Sequence, residues 1–426
     1  MTAHPGASRE SDTLKTGIVL FLGMVRRGEF ESLQERGLPL GVLVDTNSKH
    51  RLADVSRFEV VERFDFSRPV WELVEAVRAI RDRGGLACLF NVIEFYVAQT
   101  ADVAAALGVP SLSPGSARLC LDKSLMRERF RERIGEGATA RFQVVTSEAD
   151  LVSAAERLGY PVFLQPSNVS ASMWSSRNDT PDALLANYHA MLREVPAYYE
   201  RLGQKGKTLS VVLAEYLEGP NTSVDCLIDG AGRVFTTPAV DVLTGRDVGI
   251  DDFHHFARLL PSRLGRDEQQ ELDGLAEAGV RALDMRTAAA HVEFIGRRLG
   301  EIAARPGGNR PRILELAYGI DELHAYYQVL RGRAPDLSRV RRRAAAVVTP
   351  FPARNGTLRE TRHLERLAEL PGYLYHEVRA RPGQPVGLAK SGFRAPLYVE
   401  LVADDAGEVR RGVDRIASWS DLYVVE

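Results

Sequence analysis

Cysteine is scarce: the chain has three in 426 residues, at Cys88, Cys120 and Cys226, far apart and two of them inside apolar runs. An odd, scattered set excludes a disulfide framework and reads as buried free thiols in a reducing compartment. An excess of one charge is missing too. The net charge is −2 and the pI about 6.5, which leaves no electrostatic footprint for nucleic acid or an anionic membrane. No apolar run reaches the ~18 residues of a membrane span, and Met1 to Thr16 is polar, without a signal-peptide core. The expectation is a cytoplasmic protein with a disordered tail over 1–16 and neither nucleic acid nor membrane as partner. Repeats and low-complexity segments are also lacking. The turn after the first apolar run is Gly23-Met-Val-Arg-Arg-Gly28, which lacks the Gly-x-Gly-x-x-Gly fingerprint and argues against a dinucleotide site there.

What is present is ample core. Hydrophobic residues make up 45% and charged residues 26% of the chain, a soluble globular composition of a length that suggests two to four domains. Gly17–Gly23 reads as a buried parallel-type strand, followed by a helix through about Arg36 and a second strand at Leu40–Asp45, the opening of an α/β sheet. A helix over Pro69–Arg83, a strand over Leu86–Val92 and a helix from Glu94 to Leu107 continue it. A single helix is predicted over Ser116–Arg133, and a strongly β-branched strand over Thr208–Leu217. In Asp251–Pro261 the neighbours His254 and His255 face opposite ways on a strand and make a poor metal site; one of them, or Arg258, lines an acceptor pocket, or the segment is solvated surface. Helices follow at Arg266–Leu283 and Ile313–Leu330. Beyond Pro335, the run Arg339–Arg343 reads as a solvated linker. Alternating segments at Ala344–Val348, Gly372–Val378 and Leu397–Val402 predict a small β-rich domain.

The stretch His291–Gly308 concentrates the chemistry. Two alternating runs, His291–Ile295 and Leu299–Ala303, flank a Gly-Arg-Arg turn and predict a β-hairpin. Such a pair projects Glu293 and Glu301 from one face, a hard-oxygen site of the kind that holds Mg²⁺ (or Mn²⁺) with waters and substrate phosphates. Arg305 follows, and its planar fork suits a phosphate or carboxylate. A solvated, charged sheet face is the competing reading.

The hairpin resembles the metal-binding hairpin of the ATP-grasp ligases, matching at Glu293, Phe294, Glu301, Ile302, Arg305, Gly307 and Gly308 and departing at Ala303, where the family has a metal-ligating Asn. Further resemblances come in order: Asp122-Lys-Ser-Leu-Met-Arg127, the strand ending in Gln165-Pro166, the Ser-rich loop Ser167–Ser176, Glu215-Tyr216-Leu217, and Gly219-Pro-Asn-Thr-Ser-Val-Asp225.

The resemblance implies an α/β (α+β) ATP-grasp fold. An N-terminal open α/β pre-ATP-grasp domain spans 17–115, an ATP-grasp domain 116–332 in two subdomains split near 206, and a C-terminal lid 333–426. It also implies ATP and Mg²⁺ as cofactors. Lys123 would contact the α-phosphate. Gln165 stands where the family has a phosphate-binding Lys, so restoring Lys would tighten ATP, and Lys123, Lys205 or Lys207 would supply the missing cation. Ser170 and Ser172 belong to the flap over the triphosphate. The backbone of Glu215, Tyr216 and Leu217 would read adenine, Asn221 the ribose, Glu293 and Glu301 the metal, and Arg305 the transferring phosphoryl group. The implied activity is ADP-forming ligation of an amino acid to an amine through an acyl phosphate, in bacterial specialised metabolism, with a homodimer left open. The rivals are a nucleotide-binding relic, because of Gln165, Asn221 and Ala303, and an ATP-dependent carboxylase, disfavoured by the lack of a lysine carrier segment.

Overall fold

Apolar runs short enough to be strands and buried on both faces pair in parallel. In the computed structural model, which describes residues 17–48, 54–169, 172–201 and 207–426, the chain opens with β1 (Ile18–Gly23), α1 (Glu31–Glu35), β2 (Leu40–Asp45), β3 (Val60–Phe64), α2 (Val70–Gly84), β4 (Leu86–Phe90) and α3 (Val97–Leu107). They form a parallel sheet ordered β3-β2-β1-β4. The tail over 1–16, Ser170 and Lys205 lie outside the described residues.

The helix expected up to Arg36 shrinks to the five residues of α1. Side chains hold the turn before it: Gly28 N–H donates to both Glu31 carboxylate oxygens at 3.0 and 2.8 Å, and Arg26 N–H donates to Glu29 at 2.8 Å. The sequence gives β3 no clear signature because it is a sheet edge with Glu62 and Arg63 in its middle.

Two helices, α4 (Pro114–Leu121) and α5 (Lys123–Arg133), replace the one expected over Ser116–Arg133. Asp122 breaks it. Its backbone is extended (φ −127°, ψ 110°) and its carboxylate caps α5 by accepting from Ser124 N–H at 2.9 Å and Leu125 N–H at 3.3 Å. The break puts Lys123 in the first turn of α5.

A small antiparallel sheet follows, built from β5 (Phe142–Val145), α6 (Glu148–Leu158), β6 (Val162–Pro166), β7 (Ser176–Asn178), α7 (Pro181–Arg201) and β8 (Val211–Glu215), with strand order β5-β8-β6-β7. The chain then runs β9 (Asn221–Ile228), β10 (Val234–Thr236), β11 (Val240–Thr244), β12 (His255–Leu260), α8 (Arg266–Ala282), β13 (Ala288–Ile295), β14 (Arg298–Ala303), α9 (Arg310–Tyr318) and α10 (Glu322–Leu330). It ends with β15 (Ala344–Val348), β16 (Gly356–Thr361), β17 (Tyr373–Val378), β18 (Pro385–Val386), β19 (Leu397–Ala403), α11 (Ala406–Ala417) and β20 (Tyr423–Val425).

The helix expected over Ile313–Leu330 is also two. Gly319 ends α9 in the left-handed region at φ +70°, and Asp321 caps α10 by accepting from His324 N–H at 3.0 Å. The largest sheet is ordered β14-β13-β9-β11-β12-β15-β19-β17, with β10 beside β9. The C-terminal strands β15, β19 and β17 thus continue the sheet that carries the hairpin, through the pairing of β15 with β12. Helices α4, α5 and α8 bury their apolar faces against β9, β13 and β14 through Met126, Phe130, Leu272, Val280, Val292 and Phe294. That packing fixes the hairpin as a rigid platform.

Candidate active site

Cross-strand register puts the chemistry on one face of three strands. His291 on β13 stands opposite Asp225 on β9 and Ala303 on β14, and Glu293 stands opposite Ser223 and Glu301. Directly paired residues share a face, and so do residues two apart along a strand. Asp225, His291, Glu293 and Glu301 therefore converge.

The first three form a chain. His291 Nδ1 lies 2.6 Å from Asp225 Oδ1, and His291 Nε2 lies 3.0 Å from Glu293 Oε1. Burial pulls this imidazole down, but Asp225 and the bond to Glu293 outweigh it and raise it above its ordinary value. Burial would raise Glu293 in turn, yet the bond from His291 and the charges of His255 and His291 hold it well below the carboxylate range. Glu301 behaves oppositely: burial, with Glu94 and Glu293 nearby, raises it against the pull of Lys123, whose Nζ is 3.2 Å away. A divalent cation would relieve that crowding. The donor set is two carboxylates, hard oxygens that fit Mg²⁺. Ala303 adds no ligand, and among the described residues no third acidic, His or Cys group joins to complete a protein-only metal cage.

Arg305 follows β14 and reaches across to the N-terminal domain, its Nη2 3.1 Å from Glu94 Oε2, while Nη1 donates to Pro306 O at 2.9 Å. Gly307 is required by close approach. Its N–H donates to Asp225 Oδ2 at 2.6 Å, and a Cβ there would lie 2.4 Å from His291 Nδ1 and from Arg310 Cγ. Beneath this floor the buried Arg310 donates through Nε to Ser223 Oγ at 2.7 Å.

The residues read as nucleotide contacts lie on α5, on β6 and the loop after it, at the end of β8 and at the start of β9. Lys123 Nζ donates to Val169 O at 2.9 Å besides meeting Glu301. Gln165 is 5% exposed. With its amide set by its neighbours, its Oε1 accepts from Arg127 Nη1 at 3.0 Å and Nη2 at 2.7 Å. Arg127, also buried, has an unpartnered Nε and feels the charge of Glu301. A guanidinium thus sits beside the position where the resemblance implies a lysine. Arg127 lies within the Asp-Lys-x-x-Met-Arg string, in which the resemblance implies a role for Lys123 alone. Lys207, one of the cations expected to serve, donates to Asn168 O at 3.1 Å and lies 4.8 Å from the Tyr199 ring centroid.

Ser172 and Trp174 adopt φ +53° and +55°, so the loop after β6 reaches the left-handed region that glycine favours without having glycine there. Trp174 N–H donates to Lys390 O at 3.3 Å, tying this loop to the C-terminal segment.

At the end of β8, Glu215 N–H donates to Arg141 O at 2.9 Å and Tyr216 N–H to Pro161 O at 3.2 Å. Of the three amides expected to read adenine, only that of Leu217 lacks a backbone partner among the described residues. The Glu215 carboxylate is bound by Arg141 Nε at 2.8 Å and Arg298 Nη1 at 2.5 Å. Asn221 opens β9, half-buried, opposite Ile295.

A cavity of about 3450 Å³ is lined by Ser172, Glu293, Glu301 and Arg305 together with Glu94, His255 and Arg258. Lys123, Gln165, Glu215, Tyr216, Leu217 and Asn221 are off its lining. Of the two adjacent histidines, His255 faces the site, with Nε2 3.8 Å from Glu293, while His254 packs on Phe351 with ring centroids 4.3 Å apart.

Residues 158–307 match the family described as the ATP-grasp domain. An uncharacterized protein of Sinorhizobium fredii, y4rH, is 21% identical over 99% of this chain and 87% of its own length. The L-amino acid ligase of Bacillus licheniformis superposes with a TM-score of 0.75 at 17% identity, covering 96% of this chain and 99% of that one. The biotin carboxylase domain of Hydrogenobacter thermophilus 2-oxoglutarate carboxylase, solved with MgADP, does so with a TM-score of 0.67 at 16% identity, covering 96% and 90%. Residues 158–307 thus match the ATP-grasp domain, and along nearly its whole length the chain shares the fold of these solved structures.

Proposed function

We propose that the protein is an ATP-dependent carboxylate–amine ligase that joins an amino acid to another amino acid or amine and releases ADP and phosphate. The observation that carries this reading is the pairing of Glu293 with Glu301 on one face, with Lys123 Nζ 3.2 Å from Glu301 and Arg305 lining the same cavity as both carboxylates. Two carboxylates with two cations near them suit a triphosphate and an acid. Glu293 and Glu301 would hold Mg²⁺ (or Mn²⁺), which supplies charge neutralisation on the phosphate oxygens when bound.

The chain's own residues do the rest. Lys123 and Arg127 offset the charge of the phosphates, and the Leu217 amide meets the adenine edge. Arg305, steadied by Glu94, orients the substrate carboxylate so that its oxygen bonds to the γ-phosphorus as the bond to the ADP oxygen breaks. The amine then attacks the acyl carbon, inorganic phosphate leaves, and the amine proton passes to solvent. Scattered thiols, all buried, fit a cytoplasmic setting.

Incubating the protein with ATP, Mg²⁺ and amino-acid mixtures, with ADP assayed and condensed products sought by mass spectrometry, tests the proposal. ADP release that rises with amino acids and comes with an amide product is expected. ATP binding without product would favour the relic reading, which rests on Gln165, Asn221 and Ala303.

A further inference from the structure

The cavity lining carries guanidinium groups with no carboxylate partner among the described residues. Arg258, on β12, donates from Nη1 to His255 O at 2.9 Å and Thr349 Oγ1 at 2.6 Å, both neutral, and its Nε has no partner among the described residues. Arg27, after β1, donates to Tyr375 Oη at 3.0 Å with its guanidinium carbon 5.4 Å from that ring centroid. Arg394, before β19, makes no ion pair among the described residues; its charged neighbours are Arg26, Arg379 and Glu29.

All three line the same cavity, and Arg379 is a charged neighbour of both Arg258 and Arg394. Tyr375 and Tyr398 have ring centroids 6.5 Å apart, and Arg379 lies 4.5 Å from the Tyr398 centroid. The carboxylates nearby are already engaged: Glu29 by Arg26, Glu377 by Arg379, and Glu400 by Arg312 and the Tyr398 hydroxyl. Burial, with Arg310 next to it, pulls Arg258 down to about 9, the state of a cation that lacks a counter-charge. Unmatched cations lining a cavity beside the reacting centre mark an anion site.

We propose, on the basis of the ligase reading above, that Arg258, Arg27 and Arg394 bind an amine substrate carrying two anionic groups, either an acidic amino acid or a phosphorylated one. A single carboxylate would leave most of this wall unpaired; a dianion matches it.

Calorimetric titration tests this with the wild-type chain and a non-hydrolysable MgATP analogue present, using two matched pairs, aspartate against asparagine and O-phosphoserine against serine. In at least one pair the dianion should bind about tenfold or more tightly than its neutral partner, the ratio one charge-assisted hydrogen bond carries. A ratio confined to the first pair identifies a carboxylate, and one confined to the second a phosphate. The doubly substituted Arg258→Gln/Arg394→Gln should bring that ratio below about threefold with affinity for the MgATP analogue retained. Should Arg258→Gln not fold, Arg394→Gln alone, at an exposed position, should still lower it at least about threefold. Equal binding within both pairs, no binding of any of the four, or a ratio unchanged in the variants would overturn the inference. ADP release with amino-acid mixtures, run in parallel, reports on the ligase reading separately.

Discussion

Arg127 changes what a lysine at position 165 would do. Gln165 Oε1 accepts from both terminal nitrogens of Arg127, so Gln165→Lys removes the acceptor and sets an ammonium against a buried guanidinium. The substitution should destabilise the fold by about 1–3 kcal/mol and weaken MgATP, the opposite of the tightening that the sequence resemblance implies. Urea unfolding midpoints and calorimetry of both proteins check this, and tighter nucleotide binding in the variant would remove Arg127 from its proposed role. Glu301→Gln keeps an acceptor for Lys123 but loses a formal charge, so turnover should fall at least about tenfold with the unfolding midpoint nearly unchanged; wild-type turnover would return the hairpin to a solvated sheet face. Arg305→Lys should lower kcat more than it raises KM for ATP, because Lys keeps the charge and loses the fork that both meets Glu94 and grips substrate. Steady-state kinetics with ATP varied would show an unchanged kcat if Arg305 had no part in the chemistry.

Among the elements, the hairpin was legible because it is local. A two-residue turn, with Gly296 at φ +58°, pairs Ile295 with Arg298 and Phe294 with Leu299, and a one-residue register shift beside Glu293 then sets it opposite Glu301, all within a dozen residues. The two helix breaks were not. Helix-compatible residues run through both Ser116–Arg133 and Ile313–Leu330, and the breaks are set by the side-chain caps of Asp122 and Asp321 and by the left-handed Gly319. Asp252 does similar work between elements. Its carboxylate accepts from His254 N–H at 2.9 Å and Lys390 N–H at 2.9 Å, tying the segment before β12 to the C-terminal segment that also holds Trp174. Burial would raise this acid, but the bonds from His254 and Lys390 prevail and lower it from its ordinary 3.8. A lowered acid contributes stability above its unfolded value and loses it as pH falls through its folded one. Asp252→Asn should therefore cost about 1–3 kcal/mol at pH 7, and the gap from wild type should begin to shrink below about pH 4 and close only once pH has fallen through the lowered folded value. Denaturant titrations at both pH values decide it; a gap that persists in acid would assign the loss to shape and not to charge.

Across the whole molecule, three parts of the chain meet at one cavity. Arg27 and Glu94 come from the N-terminal sheet, Glu293, Glu301 and Arg305 from the hairpin, and Tyr398 and Arg394 from the C-terminal strands. The order of motifs revealed the fold, since each motif is a short string. It did not reveal that Asp225 would grip His291, that Glu94 would meet Arg305, or that β15 would extend the hairpin's own sheet, because these contacts join residues distant in sequence and depend on register. The central claim is that this cavity activates a carboxylate as its acyl phosphate, and isotope transfer tests it most directly. With amino acids labelled with ¹⁸O in the carboxylate, ATP and Mg²⁺, the inorganic phosphate formed is analysed by mass spectrometry. The account predicts one ¹⁸O carried from carboxylate to phosphate per ADP released; phosphate that forms with no label from the carboxylate would contradict it.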